Sequence, residues 1–263
     1  MTPNDSRVPA EYLTSPLLSR AGFRHAFFTR RGGVSEGAFA SLNFSVAAGD
    51  QPAHVAENLR RAGLALGVDA ERIYFLSQVH GRAVELADGN QPPEAFVRRE
   101  GDVVIGSVPT LACAVRSADC MPVLLADRLS GFVAAVHAGW RGVACRAVEA
   151  GVSGLKQLAG GQVELVAAVG PHISLDSFEV SEEVARELRA ASPDPDVVDR
   201  SRPRPHVDLR RIVHAQLLSL GLAPSAVDDV WGCTVRDETR FFSFRRDGKA
   251  SGRLLSAIVP RGG

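Results

Sequence analysis

The sequence predicts a single α+β domain, and three observations support this prediction. The chain has 263 residues, of which 45% are hydrophobic and 23% charged, as is ordinary for a folded protein with a substantial core. Short apolar runs of strand length alternate with stretches of helical periodicity from residue 22 onward. Neither an internal repeat nor a low-complexity tract divides the chain. We therefore assign residues 21–263 to one domain and residues 1–20, which contain three prolines, to an extended lead-in.

The predicted elements follow one another along the chain. A short strand in GFRHAFFTRR runs into a turn at Gly32 and Gly33, and residues 52–66 form an amphipathic helix that ends at Gly67. The next strands are the apolar runs in IYFLSQVH, AVELAD, DVVIGS, TLACAVRSADC, PVLLAD and FVAAVHAG. Helices are predicted at about 141–158, 181–191 and 208–220, with later strands in VELVAAVG, DDVWGCTV, RFFSF and GRLLSAIVP. The proline-rich segment 192–206 is predicted to be an exposed loop.

Charge and cysteine content exclude several classes of protein. The 30 basic residues are balanced by 30 acidic residues, so no net positive field is available for a nucleic acid or an anionic membrane surface. No apolar run approaches the roughly 20 residues that a membrane-spanning helix needs. The four cysteines form no CxxC pair and are too few for a disulfide scaffold. We expect a cytoplasmic protein that binds neither nucleic acid nor membrane.

Three residues with metal-ligand chemistry stand at the ends of predicted strands: His80, Cys120 and His137. Two histidines and one cysteine are a zinc-type set that leaves a fourth tetrahedral position open. The same residues also allow a thiolate nucleophile at Cys120, with either histidine as its base and Asp102 or Asp119 as the orienting carboxylate. Separations of 40 and 17 residues match no short zinc motif, so the residues alone leave both chemistries open.

Several polar residues at turns are candidates for binding an anionic or polar substrate. A guanidinium group at a turn can bind phosphate or carboxylate through two parallel hydrogen bonds. The arginines in such positions are Arg30, Arg31, Arg141, Arg245 and Arg246. Asn43 and Gln78 add neutral groups suited to a base or sugar edge. Neither a P-loop nor a GxGxxG motif is present, so neither ATP hydrolysis nor a dinucleotide dehydrogenase is supported.

A series of longer motifs extends over nearly the whole chain. They are FTRRGGVSEGAFASLNFSVAAGD at 28–50, SQVHG at 77–81, GD at 101–102, ADCMPVLLAD at 118–127, AAVHAGWRG at 134–142, GPHIS at 170–174, VDL at 207–209, and FFSFRRDG followed by GRLLSAIV within 241–259. In this combination and order the chain closely resembles the family called multicopper polyphenol oxidases or laccase-domain proteins. That family includes purine nucleoside phosphorylases and the peptidoglycan editing factor.

The resemblance implies a fold, a metal site and an activity. The implied fold is a single domain of four α/β/β/α layers, in which two mixed sheets pack together and are covered by helices. The implied metal ligands are His80, Cys120 and His137, with Zn²⁺ as the expected metal and Cu²⁺ as the alternative. Similar proteins are described as phosphorylases of adenosine, inosine and S-methyl-5′-thioadenosine, with adenosine deamination as a second activity. A nucleoside and phosphate are therefore the expected partners.

Motif position suggests further roles for the candidate residues. Arg30 and Arg141 are the candidates for neutralising phosphate, and Asn43 and Gln78 for contacting the nucleoside. In deamination, Asp119 or Asp102 is the candidate catalytic carboxylate that carries a proton to the leaving amine. Asp119 has an alternative role as the group that orients a metal ligand.

Two other functions use the same residues. One is a hydrolase or amidase, dependent on Cys120 or on a metal, that edits a peptidoglycan precursor. The other is a copper-dependent polyphenol oxidase, which needs several copper centres. This second function is disfavoured because the chain has seven histidines in total and one evident three-ligand site.

Overall fold

Two mixed β-sheets form the centre of the protein, described here for residues 8–262 of a computed structural model. The strands are β1 (Tyr12–Leu13), β2 (His25–Phe28), β3 (Ile73–Tyr74), β4 (Val84–Ala87), β5 (Val103–Gly106), β6 (Ala112–Ser117), β7 (Met121–Asp127), β8 (Val133–Ala138), β9 (Leu165–Val169), β10 (Val198–Asp199), β11 (His206–Val207), β12 (Val227–Asp229) and β13 (Leu254–Ile258). The α-helices are α1 (Pro16–Arg20), α2 (Pro52–Leu66), α3 (Pro93–Phe96), α4 (Trp140–Ala144), α5 (Ala147–Ala159), α6 (Glu182–Ala191), α7 (Leu209–Ser219) and α8 (Phe244–Asp247). Within residues 8–262, none of these helices has the length and hydropathy that crossing a bilayer requires.

The two large sheets are both mixed, as expected. The five-stranded sheet has the order β1-β2-β13-β6-β3, with β3 parallel to β6 and the other neighbours antiparallel. The six-stranded sheet has the order β12-β9-β7-β8-β5-β4, parallel at its two outer pairs and antiparallel between them. Strands β10 and β11 form a separate antiparallel pair.

Three apolar layers hold the four structural layers together. Phe27 and Val115 of the five-stranded sheet pack against Leu124 of the six-stranded sheet. On its outer face the six-stranded sheet packs against α4 and α5, which in turn contact α6 and α7. The five-stranded sheet packs its outer face against α2. The order helix, sheet, sheet, helices is the expected α/β/β/α arrangement. Both faces of β7 and β8 are covered, and these strands accordingly lack polar alternation: Asp127 at the end of β7 and His137 near the end of β8 are their polar residues.

The chain before residue 21 differs from the expected extended lead-in. Strand β1 joins the five-stranded sheet, and α1 begins at Ser15, whose hydroxyl accepts a hydrogen bond from the Leu18 amide at 3.2 Å. Ser15 as the N-cap and Pro16 in the first turn are ordinary helix-start signals. Residues 1–7 of the predicted lead-in lie outside the described residues.

Three later predictions also need correction. The helix expected at about 141–158 is two helices, α4 and α5, separated where Arg146 adopts a φ of 64°. RFFSF forms no strand; Phe241 and Phe242 are buried ahead of α8, where they pack with Ala118 and Leu254. The proline-rich segment 192–206 contains β10, which pairs with β11.

The packing between the sheets predicts a specific effect at Gly170. A β-carbon added there would lie 2.3 Å from two atoms of the buried Phe27 ring and 2.8 Å from Pro122 Cγ. We expect Gly170→Ala to lower the free energy of unfolding by about 1–3 kcal/mol, because overpacking a filled core forces strain. Urea denaturation measures this, and Gly161→Ala, whose β-carbon meets nothing within 4 Å, is the matched control. Equal stability of the two variants would contradict the packing described here.

Candidate metal centre and its cavity

Strand register brings two of the candidate ligands to one end of the six-stranded sheet. Strands β7 and β8 are antiparallel with Pro122 opposite His137, so Cys120, just before β7, lies beside the end of β8. Cys120 is on the connection through which the chain passes from β6 in one sheet to β7 in the other. Residues 17 positions apart in sequence thus become neighbours.

The third ligand lies on the loop before β4, and a buried carboxylate shapes that loop. The backbone amides of Val79, His80 and Gly81 donate to the carboxylate of Asp102 at 3.2, 3.0 and 2.7 Å. His80 adopts a left-handed φ of 62°, which is uncommon for a residue other than glycine. The three hydrogen bonds hold this turn with the imidazole directed toward Cys120.

The three side chains have the spacing of a metal site. The candidate ligand atoms of His80, Cys120 and His137 all lie within 4.8 Å of one another, and Cys120 Sγ is 3.7 Å from His80 Nε2. A tetrahedral zinc site separates its nitrogen and sulfur ligands by about 3.5 Å, given the usual bond lengths. His137 is buried, Cys120 half-buried and His80 exposed. The trio therefore fits a metal ion and leaves one side open.

Asp102 also sets the orientation of His137. The His137 Nδ1–H donates to Asp102 Oδ1 at 2.7 Å, which leaves Nε2 free to bind a metal. A carboxylate in this position fixes the tautomer and raises the basicity of a histidine ligand. Asp102 is 1% exposed, and its two oxygens accept four hydrogen bonds. This arrangement suits a positioning role and not that of a proton carrier in the cavity.

The cluster shifts the protonation of its members. Burial alone would raise the pKa of the Cys120 thiol, but the charge of His137 and hydrogen bonds to both histidines outweigh it and lower the pKa to about 6. Burial alone would lower the pKa of His137, but Cys120 and Asp102 together raise it to about 9. The metal-free cluster thus favours a thiolate, which is the form that binds metals.

The open side of the cluster faces a cavity of about 550 Å³, a volume ordinary for a small-molecule site. All three candidate ligands line it. Four arginines also line it, and Asp119 supplies the one carboxylate among its lining residues. The lining arginines are Arg116, Arg141, Arg245 and Arg253. The wall of the cavity is therefore electropositive, although the chain as a whole is neutral.

Arg116 and Arg253 reach the cavity from neighbouring strands of the five-stranded sheet. Arg116 is on β6, and Arg253 directly precedes β13, the antiparallel partner of β6. Burial, with repulsion from Arg253, lowers the pKa of Arg116 to about 10, and burial lowers the pKa of Arg253. Neither forms an ion pair with a carboxylate within the described residues. Asp119 and Cys120 attract Arg253 electrostatically without forming an ion pair with it, and its Nη1 donates to the carbonyls of Ser251 and Gly252 at 2.7 and 3.0 Å. Two partly buried guanidinium groups side by side are the expected composition of an anion site.

Comparison with known proteins identifies the family. A family model described as multi-copper polyphenol oxidoreductase laccase matches residues 24–261. The chain belongs to this laccase family. The purine nucleoside phosphorylase of Deinococcus radiodurans is 39% identical over 241 residues, covering 90% of this chain and 89% of the relative. The purine nucleoside phosphorylase Rv2149c of Mycobacterium tuberculosis is 40% identical over 240 residues, covering 89% of this chain and 91% of the relative.

Two solved structures share the fold of this chain. YlmD from Geobacillus stearothermophilus aligns with a TM-score of 0.87 at 29% identity, covering 97% of this chain and 100% of that one. A Neisseria meningitidis protein aligns with a TM-score of 0.81 at 33% identity, covering 95% of this chain and 99% of that one. The resemblance in family and fold that the motifs indicated is confirmed.

The structure does not bring Arg30 and Asn43 into the cavity. Arg30 donates to the carbonyls of Ala40 and Glu238 at 2.8 and 3.0 Å, in a separate surface depression. Asn43 is fully buried, and its amide binds Ser45, Asp50 and the Arg253 backbone. Asn43 therefore holds Arg253 in place without facing a substrate itself.

Gln78 and Arg141 do line the cavity, but their polar groups differ in how they are hydrogen-bonded. Both ends of the Gln78 amide are bound to the backbone of Arg116, at 2.7 and 2.8 Å, so Gln78 anchors the loop to β6. The guanidinium of Arg141 lies 4.2 Å from the centre of the Trp140 ring, which also lines the cavity. Of these two residues, Gln78 has its amide bound to the backbone, whereas the guanidinium of Arg141 faces the cavity without a backbone hydrogen bond of that kind.

Sequence reasoning missed Arg116 and Arg253 as members of the site. Each was visible as a charged residue in or directly before an otherwise apolar predicted strand, ACAVRS and RLLSAI. An arginine in such a strand must find a polar environment or a cavity. That signal identified the residues as unusual but did not indicate where they point. Arg31 and Arg246, the other arginines at predicted turns, are not among the residues that line this cavity.

The four hydrogen bonds to Asp102 predict its effect on metal binding. We expect Asp102→Asn to weaken metal affinity about 10- to 100-fold, because an amide cannot accept from all four donors or orient His137 equally well. Competition against a chromogenic chelator measures the affinity. Asp127→Asn is the matched control, since Asp127 is also buried and multiply hydrogen-bonded but lies at the opposite end of β7. Equal affinities in both variants would refute the role of Asp102.

The lowered pKa of Cys120 predicts an alkylation profile. In metal-stripped protein, the rate of carboxamidomethylation of Cys120 should reach half its maximum near pH 6, because the thiolate is the reacting form. In His137→Ala the midpoint should move toward the ordinary thiol value of about 8.5. Peptide mapping by mass spectrometry separates Cys120 from Cys113, whose pKa burial raises. A midpoint near pH 8.5 in the unsubstituted chain would contradict this electrostatic account.

Proposed function

We propose that the protein is a metal-dependent purine nucleoside phosphorylase that cleaves a purine nucleoside with phosphate to a free base and ribose 1-phosphate. The observation that carries this proposal is that an open three-ligand centre and an arginine-lined wall share one cavity. Phosphorolysis needs both an anion site and a group that stabilises charge on the leaving base. The names of the two curated relatives agree with this proposal.

We propose Zn²⁺ as the resident metal, held by His80, Cys120 and His137. A thiolate with two imidazoles suits zinc, and Cu²⁺ is the alternative. When bound, the metal supplies Lewis acidity at the open coordination position. Within this chain, Asp102 keeps His137 in the ligating tautomer, and the Asp102-bound turn keeps His80 in reach of Cys120.

The arginines are proposed to bind phosphate next to the nucleoside. Arg116, Arg253 and Arg141 would neutralise the dianion while one phosphate oxygen attacks C1′ of the ribose. The C1′–N9 bond breaks as the new C–O bond forms, and the electron pair leaves with the purine, which then takes a proton. Compared with the initial expectation, Arg141 is retained, while Arg116 and Arg253 replace Arg30.

Adenosine deamination is retained as a proposed second activity with weaker support. It requires a group that carries a proton to the leaving amine. Asp119 is the one carboxylate among the lining residues, and its oxygens accept hydrogen bonds from Thr234 and from the Arg245 amide. Asp102 is turned away toward His137. Each oxygen of Asp102 accepts two hydrogen bonds, whereas each oxygen of Asp119 accepts one, so Asp119 is the carboxylate with a lone pair left to take up a proton.

The alternative of a Cys120-dependent hydrolase of a peptidoglycan precursor uses the same side chains. The two histidines and the thiolate converge on one point, as metal ligands do, which favours the metal assignment over a nucleophile with one base. The copper-dependent polyphenol oxidase has less support, because residues 8–262 contain one cluster of this kind.

Removing the metal tests the proposed function directly. Purified protein incubated with inosine and phosphate should release hypoxanthine and ribose 1-phosphate, and adenosine should release adenine. Chelation or Cys120→Ala should abolish turnover in a folded protein, since three ligands are needed to hold the ion. Cys145→Ala, at a cysteine outside the cavity lining, is the control.

The products separate the alternatives. Inosine formed from adenosine without phosphate would establish the deaminase activity. Full phosphorolysis by folded, metal-free protein would contradict the metal assignment. Hydrolysis of a cell-wall precursor that survives chelation and labels Cys120 would replace the phosphorylase with the hydrolase.

A pair of arginine variants tests the proposed phosphate site. Arg253→Met should raise the KM for phosphate at least about tenfold, because a charge-assisted hydrogen bond to a dianion is worth about 1.5–3 kcal/mol. Arg30→Met, at a residue bound to carbonyls outside the cavity, should leave that KM within about twofold. Steady-state kinetics at saturating inosine give both values. The opposite pattern would restore Arg30 as the phosphate ligand.

A further inference from the structure

Asp119 combines two unusual features beside the candidate metal centre. It lies between β6 and β7, directly before Cys120, and has a left-handed φ of 91°. Left-handed backbone is unfavourable for residues with a β-carbon, although aspartate and asparagine tolerate it better than most. His80, a candidate ligand itself, has the same feature. Such conformations persist where the surroundings hold them, and they cluster at functional sites.

Hydrogen bonds to the carboxylate and carbonyl of Asp119 hold its backbone in this conformation. The carboxylate accepts a hydrogen bond from the Thr234 hydroxyl at 2.6 Å and another from the Arg245 backbone amide at 2.6 Å. The Asp119 carbonyl accepts from the Ile173 amide at 3.0 Å. One residue, 9% exposed, thus ties the turn that carries Cys120 to three segments far away in sequence.

One of these segments forms part of the substrate wall. Arg245 is the second residue of α8, and both Phe244 and Arg245 line the cavity. The guanidinium of Arg245 is anchored on the carbonyls of Ser177 and Glu179 at 3.3 and 3.0 Å. The Asp119 carboxylate therefore sets the position of the backbone from which an aromatic and a cationic side chain enter the cavity.

We propose that Asp119 is a positioning residue that couples the metal centre to the substrate wall. Its left-handed backbone aims Cys120 at the two histidines, and its carboxylate holds α8 in place. The proposal rests on the proposed function for its kinetic consequence, but its structural part does not depend on any activity.

The two parts of the role can be separated by substitution. Asp119→Gly removes the carboxylate while leaving a residue suited to a φ of 91°. Asp119→Ala removes the carboxylate and keeps a β-carbon in the unfavourable conformation. Asp119→Asn keeps the tolerated backbone and one acceptor oxygen, and serves as the conservative rescue. Asp127→Ala, which removes a buried and hydrogen-bonded aspartate at the far end of β7, is the control for general destabilisation.

Metal affinity and hydrogen exchange test the proposal without reference to turnover. By competition with a chromogenic chelator, Asp119→Gly and Asp119→Asn should bind Zn²⁺ within about threefold of the unsubstituted protein. Asp119→Ala should bind about tenfold more weakly or worse, the range seen when a group that orients a ligand is lost. Amide exchange in the peptide containing residues 244–247 should be faster in both Asp119→Gly and Asp119→Ala, and less so in Asp119→Asn. Asp127→Ala should change neither.

The kinetic consequence is a split between KM and kcat. Asp119→Gly should raise the KM for inosine about tenfold while kcat changes by less than about threefold, since the metal centre is preserved. Equal zinc affinities in Asp119→Gly and Asp119→Ala, or unchanged exchange at 244–247, would overturn the proposal even if phosphorolysis is confirmed. Absence of phosphorolysis in the unsubstituted protein would refute the proposed function. Zinc affinity and amide exchange at 244–247 would then still test the positioning role of Asp119.

Discussion

The buried carboxylate of Asp102 is the interaction on which the candidate metal centre depends. Its two oxygens satisfy the imidazole of His137 on β8 and three consecutive amides of the turn that carries His80. Burying a carboxylate costs free energy unless its oxygens are hydrogen-bonded. Here the four donors that meet this requirement come from His137 and from the turn that carries His80. The same group thus sets the tautomer of one ligand and the backbone path of another. Cys120 then completes the cluster, because the β7–β8 register brings it to the same edge of the sheet.

The second constraint is the electrostatic contrast between the cavity and the whole chain. Net charge is zero, yet four arginines and a single hydrogen-bonded aspartate line one cavity. Partial burial of Arg116 and Arg253 keeps their charges from being screened by water, so a small anion gains more there than at the surface. An electropositive cavity and a net charge of zero therefore occur together in this protein, because four arginines line one cavity.

Local signals in the sequence were reliable where one interaction dominates. The helix over 52–66 has the predicted bounds, because its apolar periodicity, proline start and glycine end all agree. The buried strands β5, β7 and β8 were predicted from their apolar runs, because burial of the whole strand requires apolar side chains along most of its length. The strand predicted at RFFSF was wrong because its phenylalanines are buried against Ala118 and Leu254, which are distant in sequence, without pairing in a sheet. The capping signal at Ser15 was present, but the prolines around it suggested extended chain.

The sequence by itself determined which residues have ligand chemistry and, through its motifs, the family to which they belong. The tertiary structure decided which polar groups face the cavity with hydrogen-bonding capacity to spare. Asn43 and Gln78 have the right chemistry, but backbone groups brought close by folding occupy their amides. Arg116 and Arg253 looked like isolated charges until the pairing of β6 with β13 placed them in one cavity. Chemistry is a property of each side chain, whereas availability depends on contacts between segments distant in sequence, and no local pattern encodes those contacts.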